Sequence, residues 1–157
     1  MGTLNRIKTV KGDCLEAKGY IVHGCNTLGV MGSGIAKGVK SRFPEAFDAY
    51  QKSLASTTRE KAMGSISYVH NPGICIINAI TQFDCGNDKN KTYVDYPALY
   101  NAFDCINTLI RFNTNDLPKV LNFPMIGCGL ANGKWNVVSE LIEDAISDDI
   151  ELVLYVL

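Results

Sequence analysis

Short apolar runs of strand length alternate along the chain with longer segments whose apolar residues recur at helical spacing. Arg6 to Val10 is the first strand pattern and ends in Lys11-Gly12-Asp13; Tyr20 to His23 is the second and runs into Gly24-Cys25-Asn26. Ile35, Val39 and Phe43 mark a helix from Gly34, Pro44 breaks it, and a second helical segment continues through Tyr50. Gln51 to Lys61 is polar and reads as loop or frayed helix. Ser65 to Val69 and Ile74 to Ile80 flank Asn71-Pro72-Gly73, a turn signature, and are expected to pair as an antiparallel hairpin. A polar, glycine-containing loop follows from Phe83 to Lys91.

In the second half, Asp95 stands where it can cap a helix that has Pro97 in its first turn, with Tyr96, Leu99, Phe103, Ile106 and Ile110 as its buried stripe. Lys119 to Phe123 is a strand whose pairing Pro124 ends. Val137, Val138, Leu141, Ile142 and Ala145 give the last long helix, and Trp135, the single tryptophan, is expected to anchor it to the core. Ile150 to Leu157 reads as a strand buried on both faces, which places the last residues in the sheet. No repeat, linker or low-complexity segment interrupts the pattern. The alternation predicts one domain over residues 1–157, a three-layer α/β/α sandwich with a mixed central sheet.

Two glycine-rich loops carry the chemistry: GVMGSGIA at Gly29 to Ala36 and FPMIGCGLANG at Phe123 to Gly133. Each follows a strand pattern and leads into a helical one, the arrangement in which backbone N–H groups and a helix N-terminus meet an anion. Two such loops point to a diphosphate held between them, and therefore to a nucleotide ligand. The first loop contains G-x-G without G-x-G-x-x-G, and no acidic residue follows about twenty positions on, which disfavours a nicotinamide-type site. No G-K-[ST] is present, so a Walker A loop is excluded.

Charge and cysteine content narrow the picture further. Lys and Arg total 15 against 16 Asp and Glu, a formal charge of -1, so no basic field draws long nucleic acid. Lys37, Lys40 and Arg42 read as the solvated face of a helix. Cys25, Cys75, Cys105 and Cys128 sit in apolar or glycine-rich segments, as small buried thiols do. Neither a CxxC spacing nor a Cys/His cluster occurs, so neither a disulfide framework nor a zinc site is expected, and no cofactor is implied. MGTLNRIKTVKGD carries no apolar core, no run approaches a membrane span, and Arg6 stands where a myristoylation signal wants Ser or Thr. The expectation is a reduced, cytoplasmic, monomeric protein. Cys128, between two glycines, invites a nucleophile reading, but no histidine or carboxylate adjoins it in sequence. His23, beside an apolar strand, reads as a structural histidine.

The motifs taken together resemble the macrodomain family of ADP-ribose-binding modules. V-K-G-D at Val10 to Asp13, I-V-H-G-C-N at Ile21 to Asn26, G-V-M-G-S-G-I-A, and P-M-I-G-C-G-L-A-N-G-K-W at Pro124 to Trp135 occur in that order. The resemblance is greatest to the small stand-alone branch that contains terminal ADP-ribose protein glycohydrolase and ADP-ribose-1″-phosphate phosphatase. It implies roles for particular residues. Asp13 would accept a hydrogen bond from the adenine amino group, with Cys14 and Leu15 N–H nearby. Asn26 would hold hydroxyls of the distal ribose. Gly32, Ser33, Gly34 and Ile35 would wrap one side of the diphosphate, and Ile126, Gly127, Cys128, Gly129, Leu130, Ala131 and Asn132 the other. Tyr155 or Leu157 would pack on the adenine face, with core packing the plainer reading of Tyr155.

For catalysis the resemblance implies less. The glycohydrolase branch uses a lysine in the segment matching Ile80-Thr81-Gln82 and an aspartate just after G-C-G-L; Gln82 and Ala131 stand there instead. Glutamine forms no covalent adduct of the amine kind, and alanine is no base. A phosphatase acting on ADP-ribose-1″-phosphate needs a positioned water and donors for the developing charge. Asn26, Asn132 and the loop N–H groups are the candidate donors, with Asp84, His23 or Asp88 as candidate base and Lys134 as a cation at the loop edge. The alternatives are a non-catalytic reader or sequestering module for ADP-ribose or a related signal nucleotide, or a hydrolase that removes an ADP-ribosyl group from an acceptor by a water-based route. RNA binding is disfavoured by the charge balance and by the lack of an aromatic-basic stripe; no membrane partner is implied.

Overall fold

The computed structural model describes residues 6–157; the part of the amino-terminal reading that falls on residues 1–5 lies outside them. Six strands, β1 (Ile7–Lys11), β2 (Gly19–Asn26), β3 (Ile66–Asn71), β4 (Ile74–Gln82), β5 (Val120–Phe123) and β6 (Glu151–Val156), form one sheet in the order β1-β6-β5-β2-β4-β3. The pairing is parallel except at the β3–β4 hairpin, which makes the sheet mixed, as expected. Period-two alternation divides the central strands between two cores. Tyr20 and Val22 of β2 with Cys75 and Ile77 of β4 meet one helical layer, α4 (Tyr96–Phe112) and α5 (Trp135–Ala145). Ile21 and Cys25 of β2 with Ile76 and Ile80 of β4 meet the other, α1 (Gly34–Arg42), α2 (Pro44–Ala55) and the short α3 (Arg59–Ala62). The three-layer sandwich is therefore a direct reading of strands buried on both faces.

Helix boundaries follow local chemistry. Asp95 Oδ1 accepts the Ala98 N–H at 2.9 Å, with Pro97 in the first turn of α4, and Leu99, Phe103, Ile106 and Ile110 are buried along its stripe. Trp135 packs on Phe123, ring centroids 6.2 Å apart, and joins α5 to β5. Three expectations change. Gln51 to Lys61 is largely helical: α2 runs on to Ala55 because Leu54 still packs against the core, and α3 starts where the Thr58 hydroxyl accepts the Lys61 N–H at 3.2 Å. The carboxy-terminal run is not buried on both faces throughout, since Glu151 is exposed and paired with Lys8 at 3.0 Å, and Leu157, beyond β6, is 98 % exposed. Cys105 is exposed on α4, turned outward by the helical period one position before the buried Ile106, and Cys128 is only half-buried.

β2 and β5 are sheet neighbours, yet the chain leaves them toward opposite faces. After β2 it enters α1 and α2 on one side; after β5 it enters α5 on the other. That divergence opens a crevice at the carboxyl ends of the strands, the position where open α/β sheets bind ligands.

Candidate functional site

A cavity of about 700 Å³ occupies this crevice, with the two glycine-rich loops as facing walls. The first wall is built on Asn26, the last residue of β2. Its Oδ1 accepts the Leu28 N–H at 2.9 Å and its Nδ2 donates to the Val30 carbonyl at 3.1 Å, so one side chain folds the turn into the loop. α2 grips the same turn: the Tyr50 hydroxyl accepts the Gly29 N–H at 3.1 Å, and Gln51 Nε2 donates to the Gly29 carbonyl at 3.2 Å. The loop then delivers the open N-terminus of α1. Ser33 stands at the N-cap with extended backbone and no side-chain cap, and Gly34 has φ +58°. Among the described residues, the N–H groups of Gly32, Ser33, Gly34, Ile35 and Ala36 have no protein acceptor.

The second wall is knotted by its own backbone. Cys128 N–H donates to Met125 at 3.1 Å, Asn132 N–H to Gly129 at 3.0 Å, and Gly133 N–H to Gly127 at 2.7 Å. Gly127 has φ +76°, and a Cβ there would come within 2.8 Å of Val94 Cγ2, so both conformation and space require glycine. Gly32 and Gly129 differ: a Cβ on either would meet no atom within 4 Å, so these two are not needed by packing and instead leave the cavity open. Gly127, Gly129, Leu130 and Ala131 N–H groups have no protein acceptor among the described residues. Two sets of unpaired N–H donors across one cavity, one at a helix N-terminus, make a site for an anion with oxygens on both sides.

Residues 83–91 close the end beyond β4, with Cys85, Gly86 and Asn87 in the lining. This segment is strapped at both ends. Arg59 donates to the Thr27 hydroxyl at 2.9 Å, to the Phe83 carbonyl at 3.1 Å and to Asp84 Oδ1 at 2.9 Å, and lies over the Phe83 ring. At the other end Asn132, at φ +60°, donates through Nδ2 to the carbonyls of Asp88 at 3.0 Å and Lys91 at 2.7 Å. Gln82 lines the cavity and donates to the Asp84 carbonyl at 2.8 Å.

The positions singled out in the sequence sort as follows. Asn26, Gly32, Ser33, Gly34 and Ile35 line one wall; Ile126, Gly127, Gly129, Leu130 and Ala131 line the other; Leu157 stands at the edge. Cys128, Asn132, Tyr155 and Asp84 lie outside the lining. Tyr155 packs against the α1–α2 core, Asn132 serves the 83–91 strap, and Asp84 is engaged by Arg59 and, at 4.0 Å, Lys91. Asp13, Cys14 and Leu15 also fall outside it: Asp13 Oδ1 caps the following turn through Leu15 N–H at 2.9 Å, Oδ2 pairs with Arg42 at 3.0 Å, and the other two are buried. Cys85, Gly86 and Asn87 had no motif to announce them, the glycine in the polar 83–91 loop being the one local sign; Val30 and Met125 lie inside the two glycine-rich motifs but were not singled out within them.

Electrostatically the cavity is bare. Its lining contains no Asp, Glu, His, Lys or Arg. His23, a candidate base, is fully buried away from it; Nε2 lies 2.7 Å from Asn78 Oδ1, whose amide nitrogen donates to Ala46 and Ser67. That network places the proton on Nε2. Burial lowers its pKa to about 4, against the weaker opposing effect of the Asn78 hydrogen bond. Burial raises the Cys128 thiol to about 11 and pushes Cys25 up further, so neither is a thiolate at neutral pH. Val30, Met125, Leu130 and Leu157 leave exposed apolar surface around the mouth.

A crevice at the switch point of a mixed α/β sheet, walled by two glycine-rich loops with facing unpaired N–H groups, defines the class. Residues 22–142 match the Macro domain family, and the chain belongs to it. A 17.5 kDa protein from the tk-vs intergenic region of Enterobacteria phage T4 is 32% identical over 158 residues, 94% of each chain. The DNA ADP-ribosyl glycohydrolase of Mycobacterium tuberculosis is 28% identical over 151 residues, 92% of this chain but 40% of that protein. An ADP-ribose 1″-phosphate phosphatase of Aspergillus oryzae shares 38% identity over 50 residues, 31% of this chain and 25% of that protein. Among solved structures, the macrodomain of Mycobacterium tuberculosis DarG superposes with a TM-score of 0.76 at 26% identity, covering 95% of this chain and 96% of that one. The family resemblance carried by the four motifs is thus confirmed.

Proposed function

We propose that the cavity binds ADP-ribose, free or as the ADP-ribosyl part of a larger substrate. The diphosphate lies between the two loops, adenosine toward Asp13 and Leu157, and the distal ribose toward Asn26 and the 83–91 wall. One observation carries the reading: two facing sets of unpaired backbone N–H groups, one on an α-helix N-terminus, around glycines that packing does not require. The names of the mycobacterial and Aspergillus relatives support the ligand class.

Of the reactions those names describe, removal of a terminal phosphate from ADP-ribose 1″-phosphate is the one the lining serves best. It calls for a water held in line and donors for the phosphoryl oxygens, which Asn26, Gln82 and the loop N–H groups supply. Removal of an ADP-ribosyl group through a lysine adduct is not served, because Gln82 and Ala131 occupy the two positions that route would use. A second reading, a binding module without chemistry, is favoured by the lining's lack of any carboxylate, imidazole or amine. Phosphate release from ADP-ribose 1″-phosphate, assayed beside release of ADP-ribose from modified protein and modified DNA, separates them. Turnover of the phosphate ester alone is expected; binding with turnover of none would leave the binding module standing.

A further inference from the structure

The side-chain amide of Asn26 has a fixed polarity. Oδ1 accepts the Leu28 N–H at 2.9 Å and faces the Tyr50 hydroxyl at 2.8 Å, while Nδ2 donates to the Val30 carbonyl at 3.1 Å. Tyr50 Oη also lies 2.7 Å from the Asn26 carbonyl and accepts the Gly29 N–H. Its one proton is therefore shared between two oxygens of Asn26, both acceptors. A flipped amide would set NH₂ against the Leu28 N–H and deprive Val30 of its donor. Tyr50 is fully buried, and burial pushes its hydroxyl further above the ordinary tyrosine value, so it stays a donor throughout the neutral range. The second hydrogen of Asn26 Nδ2 is the one polar atom of the amide without a partner among the described residues, and Asn26 lines the cavity.

We propose that Tyr50 is a positioning residue that sets the Asn26 amide so that the cavity meets an N–H donor. The site then selects ligands whose distal part offers an acceptor oxygen, a ribose hydroxyl or a phosphate oxygen, at that point. This rests on the ADP-ribose reading above. Tyr50 is 24 residues from Asn26 on the buried face of α2, and it reaches the ligand only through Asn26.

The test compares ADP-ribose with ADP, which has the adenosine and diphosphate but no distal ribose, by calorimetry on wild type, Tyr50→Phe and Asn26→Asp. Tyr50→Phe keeps the ring in the core and is expected to lower ADP-ribose affinity about tenfold while changing ADP less than about twofold, the scale of one lost hydrogen bond. Asn26→Asp puts an acceptor where the donor stood; because it also removes the bond to the Val30 carbonyl and brings a negative charge to the loop, it is expected to weaken both ligands, ADP-ribose by about tenfold more than ADP. An unchanged ADP-ribose affinity in Tyr50→Phe overturns the proposal. So does an equal loss for both ligands, which would mean that the hydroxyl only shapes the glycine loop. Should Tyr50→Phe fail to fold, Asn26→Asp decides: wild-type affinity for ADP-ribose overturns the donor assignment. A wild type that binds neither ligand overturns the ADP-ribose reading itself.

Discussion

Gly127 and Gly129 lie two positions apart and do different work. Gly127 is held by a left-handed backbone and by Val94 at 2.8 Å from the missing Cβ, so Gly127→Ala is expected to destabilise the fold by about 1–3 kcal/mol. Gly129 faces open cavity; Gly129→Val is expected to melt like wild type yet lose at least about tenfold in ADP-ribose affinity, since its methyls enter the ligand's space. Thermal melts and titrations of both variants check this, and a destabilised Gly129→Val that still binds would contradict it. His23 gives a pH signature. Its folded pKa is about 4 against 6.5 when free, so the unfolded chain takes up a proton that the folded chain refuses. Its contribution to stability is complete above pH 6.5 and is lost as the pH falls toward 4, on the order of 3 kcal/mol in all. Urea unfolding at pH 7 and pH 4.5 should show a smaller loss for His23→Gln than for wild type; identical losses would remove His23 from the account. At this scale the sequence was legible where placement is local: the loop glycines and Asn26 line the cavity, and His23 is buried as its structural reading expected. It was silent on Tyr50, whose partner lies 24 positions away, and it gave no sign that Arg59 and Lys91 occupy the carboxylate of Asp84.

Element by element, legibility tracked amphipathic contrast. The β3–β4 hairpin and α4 matched expectation because a turn signature and an Asp cap with a buried stripe are local signals. Gln51 to Lys61 did not, because a helix segment that rests on the core through Leu54 alone offers almost no apolar periodicity. Glu151 and Leu157 escaped for a different reason: Glu151 pairs with β5 but has no partner on β1, and Leu157 lies beyond the strand, so their exposure depends on where the neighbouring strands begin and end. The strap on residues 83–91 belongs to this scale too. Arg59 fastens one end and Asn132 the other, so Arg59→Ala is expected to speed amide exchange in residues 83–91 by about tenfold or more while β2 and β4 keep their protection. Exchange mass spectrometry reads this directly; unchanged rates in that segment would show that Arg59 is a bystander.

Across the whole molecule, the sheet order does what no motif does alone. Because β2 and β5 are neighbours whose following helices go to opposite faces, loops about a hundred residues apart in the chain become two walls of one crevice. The cavity then offers backbone dipoles instead of cations to an anionic ligand, with a net charge of -1 overall and no charged side chain in the lining. Binding held by oriented N–H groups in a partly enclosed cleft is screened less than binding by surface lysines. ADP-ribose affinity is accordingly expected to change less than about threefold between 0.05 and 0.5 M salt. A steep salt dependence would point to lysines or arginines outside the lining as the real anion holders.

On the proposed reading the two glycine loops hold the diphosphate of ADP-ribose, and Asn26 with the 83–91 wall meets its second ribose. Calorimetric titration of the wild-type protein with ADP-ribose, beside AMP and NAD, tests it most directly. One site is expected, with ADP-ribose bound at least about tenfold more tightly than either control. Equal affinity for AMP would remove the diphosphate from the account, and no detectable binding of ADP-ribose would contradict it altogether.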